Sequence, residues 1–384
     1  MKSKLTPLVL GCALLCLADP AHGQTFNSGS NGSSGALNVT ANTTLDVPPE
    51  AVFHYTTVNV AAGFTLRFRR NAANTPVHIL ASGNVTISGT IDVSGSPGNS
   101  VTGGLGGPGG FDGGSPGSVG VPPGAGQGPG AGRPGANGTA ADGAGGGSFA
   151  TVSTVGSSSN RGATYGNALL VPLVGGSGGG GSIGTPGGGG GGGGGAILIA
   201  SSTRIDMIGR INAVGGDRTG AGANGGSAGA VRLVAPVIAG NGAIDVRPPS
   251  GGGFGRIRID AIDRSGLAFN FLDANVTSVG SLMLVFPSPR PRLDIIEAAG
   301  SAIAEGSGPV VLQLPFGSSP NRTIKVQARD FNAEVPITVV LTPDHGAPLS
   351  YTSKINNAAA NPATATVDVV LPVNEQTTVH VFSK

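Results

Sequence analysis

The chain has 384 residues, of which 71 are glycine and 28 are proline, about a quarter of the total where roughly an eighth is usual. Charged residues make up 11%, aromatics 4%, Trp is absent and the net charge is +2. This composition excludes an ordinary helical enzyme domain. It excludes a highly charged disordered tail, because 39% of residues are hydrophobic, and nucleic-acid binding driven by charge.

Residues 1–23 read as a secretory signal: Lys2 and Lys4, an apolar stretch from Leu5 to Ala18, then Ala21-His22-Gly23 as a small-x-small cleavage site. Lipid attachment at Cys12 ranks second, because the apolar run continues past it into Ala13-Leu14-Leu15. Cys12 and Cys16 both fall inside this segment, so the mature chain is expected to have no disulfide or thiol chemistry. No later stretch is apolar enough to span a membrane. The expected location is secreted or at the cell surface.

Short Val/Ile-rich strands with period-two alternation follow. Leu37, Val39, Val58, Val60, Leu66 and Phe68 supply first rungs or a cap. Then a motif repeats: Gly195-Ala-Ile-Leu-Ile-Ala, Gly229-Ala-Val-Arg-Leu-Val, Gly255-Arg-Ile-Arg-Ile-Asp, and a divergent copy from Thr75. A second element follows three of them: Gly89-Thr-Ile-Asp-Val, Gly209-Arg-Ile-Asn-Ala and Gly242-Ala-Ile-Asp-Val. Val77, Ile79, Ile91 and Val93 point inward in the first unit, and Ile197, Ile199, Ile211, Val231, Leu233, Ile244, Val246, Ile257 and Ile259 continue the column. One unit cannot bury such a face alone, so like stacks on like. The expected fold is all-β: a right-handed parallel β-helix (β-solenoid) over 24–285.

Glycine follows the second element in each rung. Residues 95–195 hold 42 of the 71 glycines, including the unbroken run Gly187–Gly195. This Gly-rich insertion reads either as a disordered flap or as ordered extended chain. Gly103-Gly-Leu-Gly-Gly-Pro-Gly-Gly has a three-residue period that suits polyproline-II geometry, and glycine strands pack backbone to backbone. All three Gly-rich loops are expected to leave the stack at one corner. Pro287-Ser-Pro-Arg-Pro-Arg then marks a Pro-rich linker, 286–305, with Leu293–Ala299 as a weak helical candidate. Six short strands over 306–384 suggest a small antiparallel immunoglobulin-like β-sandwich, the first of them Val310–Leu314.

The tandem Gly-x-Ile-x-Ile-x-Ala and Gly-x-Ile-x-Val motifs, joined by poly-glycine after a secretion signal, resemble a loose group of exported bacterial Gly-rich parallel β-helix proteins over residues 36–285. The C-terminal part looks like β-sandwich modules of bacterial surface proteins. The resemblance implies architecture; such folds host adhesins, tailspikes and polysaccharide-cleaving enzymes alike.

Aligned rungs expose candidate sites. Asp92, Asn212 and Asp245 share one outward position, where oxygen donors suit a sugar or a hard cation, with calcium the one ion considered; a plain solvated face is the competing reading. His78, Leu198, Arg232 and Arg258 share another, and Arg258 beside Asp260 is the weak catalytic candidate for a lyase. Arg67, Arg69 and Arg70 suit an acidic envelope surface or a protected edge. The five histidines show no metal spacing, and no cofactor is expected. Seven Asn-x-Ser/Thr sites occur, Asn137 and Asn275 among them. The leading expectation is a non-enzymatic exported surface, matrix or adhesion protein, whose partner is an extracellular polysaccharide or cell-envelope component. A carbohydrate-active enzyme is the alternative. A recognition surface of ordered glycine strands, as in some phage adhesins or ice binders, is the third reading.

Overall fold

The computed structural model describes residues 26–135, 143–184, 187–220, 222–271 and 276–383. The expected signal segment with both cysteines, and Asn137 and Asn275, lie outside the described residues. The described chain is all-β with no α-helix. It consists of two parallel sheets, a block of packed glycine strands, and two antiparallel sheets.

The parallel part is built from repeating sets of short strands. The first holds β1 (Leu37–Val39) and β2 (Thr43–Asp46). Next come β3 (Val52–Tyr55), β4 (Val58–Val60) and β5 (Thr65–Arg69), then β6 (Val77–Ala81), β7 (Val85–Ile87) and β8 (Thr90–Asp92). After the glycine-rich stretch the pattern resumes with β9 (Ala196–Ser201), β10 (Arg204–Met207) and β11 (Arg210–Asn212). Then follow β12 (Ala230–Ala239), β13 (Ala243–Asp245), β14 (Arg256–Asp263), β15 (Asn270–Phe271) and β16 (Thr277–Gly280). Equivalent strands pair in parallel with matching register: Ile79 lies beside Ile199, which lies beside Leu233, which lies beside Ile259. Ile91, Ile211 and Ile244 form a second such row. β12 serves twice, its first half on β9 and its second half on β10. The inward positions read from alternation all sit in one buried aliphatic core, to which the unpredicted middle strands add Val85, Ile87, Ile205 and Met207.

The glycine-rich stretch is ordered. Gly187–Gly195 runs through the middle of it, and its hydrogen bonds have a period of three. The amides of Gly189, Gly192 and Gly195 donate to Asn99, Ser96 and Val93; those of Gly190 and Gly193 donate to Gly114 and Phe111; those of Gly191 and Gly194 donate to Asn224 and Ser227. The carbonyls are equally periodic. Those of Gly189 and Gly192 accept from Thr219 and Gly216, Gly190 and Gly193 from Gly104 and Gly107, and Gly191 and Gly194 from Gly179 and Gly176. One strand therefore has six neighbours, reached in three donor and three acceptor directions. That is the hydrogen-bonding consequence of a three-residue helix of polyproline-II type, which has no internal bonds and leaves every backbone group for its neighbours. Glycine is required by approach: a Cβ on Gly193 would overlap the carbonyl of Gly176, and one on Gly190 that of Gly179.

The C-terminal unit starts earlier than its sequence suggests. Its strands are β17 (Arg292–Ala298), β18 (Ser301–Ala302), β19 (Asn321–Arg329), β20 (Glu334–Pro343), β21 (Leu349–Asn356), β22 (Ala363–Val370) and β23 (Thr377–Ser383). They form antiparallel sheets in the orders β18-β17-β19-β22 and β21-β20-β23 around one core. Two expectations are corrected. Within the expected linker 286–305, the weak helical candidate is instead β17, held as a strand by six residue pairs with β19 along Arg292–Ala298. Val310–Leu314 has strand-like alternation but no ladder partner among the described residues.

Candidate functional site

Asp92, Asn212 and Asp245 do align across β8, β11 and β13. Arg67, beside Asp92 in register, pairs with it at 3.3 Å. Asp245 is buried and holds Arg247 at 2.9 Å and Arg210 at 3.5 Å. Both aspartates also accept from a backbone amide two residues on, Ser94 and Arg247. Such turns steer the chain out of the sheet into the glycine strands. The ladder is thus a charge-paired corner. Among the described residues, no three His, Cys, Asp or Glu side chains gather as metal ligands would.

Arg258 and Asp260 come together, though not in a groove. Asp260 is fully buried; its Oδ1 accepts from Arg258 Nε at 2.9 Å and from the Leu282 amide at 2.9 Å, and its Oδ2 from Arg232 Nη2 at 3.2 Å. Arg232 also donates to the Leu284 carbonyl at 2.7 Å. Burial pulls the Arg232 guanidinium below its usual range. A carboxylate fully buried under a strap of backbone and paired with two arginines is out of a substrate's reach. Alternation places these side chains outside the parallel core, and the strap around Met283, Val285 and Phe286 then covers them along with Leu80, Leu198 and Val234.

The three arginines near the N-terminus are likewise engaged. Arg67 holds Asp92, Arg69 holds Asp46 at 2.5 Å, and Arg70 grips both oxygens of Asp112. Asp112 lies within a glycine strand and accepts from the Gly106 amide at 2.7 Å, so Arg70 clamps the array to the parallel sheets.

The far end of the glycine array is open to a partner. Gly189 is level with Asn99 and Thr219, Gly188 with Ser182, and Gly117 with Ile183. The turns after these residues therefore lie at the end of the array opposite β9. Two are internally tied. Asn99 Oδ1 accepts from the amides of Val101 (2.7 Å) and Thr102 (2.8 Å), and Ser118 and Val121 exchange backbone bonds of 2.9 and 3.0 Å. They hold Val101 77% and Val119 93% exposed. Asp217, Arg218 and Thr219 stand exposed in the neighbouring turn. Pre-tied turns bearing β-branched, hydroxyl and amide groups suit recognition by shape; they contain no paired acid and base. Sequence reasoning passed over these residues. Their signal was the local loss of glycine, as in Asn99-Ser-Val-Thr102 and Ser118-Val-Gly-Val121.

A shallow groove also runs along a corner of the parallel sheets, lined by Ser88-Gly89, Ile208-Gly209 and Asn241-Gly242. It holds Arg210 and no carboxylate. No helix among the described residues is long and apolar enough to cross a membrane. No family model, curated protein or solved structure matches the chain.

Proposed function

We propose that the chain is an exported, non-enzymatic recognition protein of a cell surface or matrix. In this reading residues 1–23 direct export. The parallel sheets are a right-handed parallel β-helix, a handedness favoured by the sterics of parallel crossovers. The helix is the base from which the glycine array projects, and the turns at the far end of the array bind an extracellular polysaccharide or cell-envelope component.

The observation that carries the reading is convergence. Two internally tied turns meet at one end of a hydrogen-bonded scaffold, while each charged candidate is buried or paired. Rigid loops on a rigid frame bind without a large ordering cost. The third expectation, a surface built on ordered glycine strands, merges with the first. The test is a glycan-array and envelope-fraction binding profile of the exported chain against the variant Val101→Asp with Val119→Asp. Binding should weaken about tenfold or more, equivalent to ~1.4 kcal/mol, with the unfolding temperature unchanged. Equal binding by the variant would move the site elsewhere.

A further inference from the structure

The sandwich carries two features that its own fold leaves unmatched. The first is an edge. β23 pairs with β20 on one side and has no ladder partner on the other among the described residues. Every second residue of an antiparallel edge strand turns its N–H and C=O outward, a template for another strand. Natural edges are blunted with Lys, Glu, Pro or a bulge. The sequence of β23, Thr-Thr-Val-His-Val-Phe-Ser, has no such residue, and its pairing with β20 is unbroken. The other edges are guarded: β21 bears Lys354, β22 bears exposed Asp368, and β17 bears Arg292 and Asp294 and is paired by β18 at Glu297–Ala298. Behind the β23 edge the core is incompletely closed. Val379 and Val381, with Leu293 and Ile295 of β17, pack on the core yet stay half-buried, whereas Val326 and Val339 of the central strands are fully buried.

The second feature is a stretch of strand-like sequence that pairs with nothing. From Gly308 to Leu314 the chain makes no hydrogen bond to the other described residues. Val311 and the nearby Phe316 are each 95% exposed. Val310, Leu312 and Leu314 alternate in sequence, and Pro309 and Pro315 bound these five residues of strand-like sequence. The stretch carries no charge, and neither does the edge apart from His380, which packs on Phe111 of the array. Its tethers, the Gly306 amide on Asp294 and the Pro320 carbonyl on the Leu371 amide, hold it to the four-stranded sheet, whereas β23 belongs to the opposite one.

We propose that Val310–Leu314 of one copy of this chain adds as a strand to the free edge of β23 in a second copy. Main-chain bonds supply the affinity, and the alternate side chains of Val310, Leu312 and Leu314 close the half-open seam, the general mode of strand addition. Donor and acceptor are different surfaces of the same chain, present in equal number. The contact is therefore heterologous and propagates into open chains or closes into a ring. Assembly of this kind would array many recognition ends on one surface.

Sedimentation velocity of the exported chain over a concentration series tests the proposal. Dimers and larger species are expected to grow with concentration. Leu312→Pro removes a strand N–H and the central apolar side chain, and is expected to abolish those species with no change in unfolding temperature. Because both native cysteines lie within residues 1–23, a second measurement is clean. Val311→Cys and Thr378→Cys chains, mixed and oxidised, should form a disulfide-linked pair that neither forms alone. A monomer at every concentration, association untouched by Leu312→Pro, or a bridge that forms within a single doubly substituted chain would each overturn the proposal.

Discussion

At Gly193 the fold depends on the absence of a single methyl group. Its amide donates to Phe111 at 2.7 Å and its carbonyl accepts from Gly107 at 2.9 Å. Its φ lies outside the left-handed region, so alanine meets no torsional barrier there; the obstacle is the Gly176 backbone where the Cβ would stand. Two effects oppose each other in Gly193→Ala. Lower chain entropy in the unfolded state favours alanine by about 0.4–1 kcal/mol. Overpacking against rigid backbone costs about 1–3 kcal/mol, and backbone held by hydrogen bonds on every side yields little, so the loss wins. Gly308 separates the two terms, since it has no atom within 4 Å of a Cβ and no left-handed φ. Urea unfolding is expected to show Gly193→Ala destabilised and Gly308→Ala unchanged or slightly stabilised. Equal effects at both positions would mean the array is looser than its hydrogen bonds indicate.

At the scale of elements, the strap over the parallel sheets sets a pH response. Phe286 lies against the ring of His78, with ring centres 4.9 Å apart, and the Arg290 guanidinium lies over the Phe286 ring, 3.3 Å from its centre. Burial drives the His78 pKa down to about 4, against a smaller opposing effect of the Ala51 carbonyl; Arg290 and Arg232 push it down further. The folded chain thus holds His78 neutral where the unfolded chain, titrating near 6.5, takes a proton. Stability is full above about pH 6.5 and falls as the pH drops towards 4. Thermal unfolding across that window should show the decline, and His78→Gln should flatten part of it. The residual slope belongs partly to His380, also lowered by burial. The strap also marks where the sequence stops being legible. Alternation alone located Ile79, Ile199, Leu233 and Ile259 in the core, because a period of two is a local property. It could say only that His78, Leu198, Arg232 and Arg258 lie on the other face. Whether that face meets water depends on residues 282–286, which no local pattern links to β6. The same limit explains β17: Leu293-Asp-Ile-Ile becomes a strand through β19, some thirty positions later in the sequence. The far-end turns of the array were hidden for a related reason, since the register of glycine with glycine carries no side-chain signal.

At the scale of the whole molecule, one glycine strand joins the three parts. Asp112 faces the parallel sheets through Arg70, and its neighbour Phe111 faces the sandwich. Phe111 meets His380 and Phe382 edge-on, with ring centres 5.7 and 5.8 Å away. Two backbone-level contacts flank them: the Gly346 amide donates to the Pro123 carbonyl at 3.0 Å, and the Ser115 hydroxyl to the Asp344 carbonyl. The polar contacts are few, so the aromatic cluster sets how firmly the sandwich sits. Each aromatic pair contributes roughly 0.5–1.5 kcal/mol beyond its buried area, and Phe111→Ala removes two. The loss falls on the interface and leaves the sandwich core untouched, because Val339, Val326 and Ile337 pack on the far side of the sheet from His380. Unfolding followed by calorimetry should therefore change from one coupled transition towards two, with the sandwich transition the less shifted. His380 gives an independent reading. Burial is what lowers its pKa, with Asp112 pulling weakly the other way, so uncovering the ring should bring its titration, followed by NMR, back up towards 6.5. An unshifted His380 in Phe111→Ala would show that other contacts keep the sandwich docked, and that the glycine array is not the joint of the molecule.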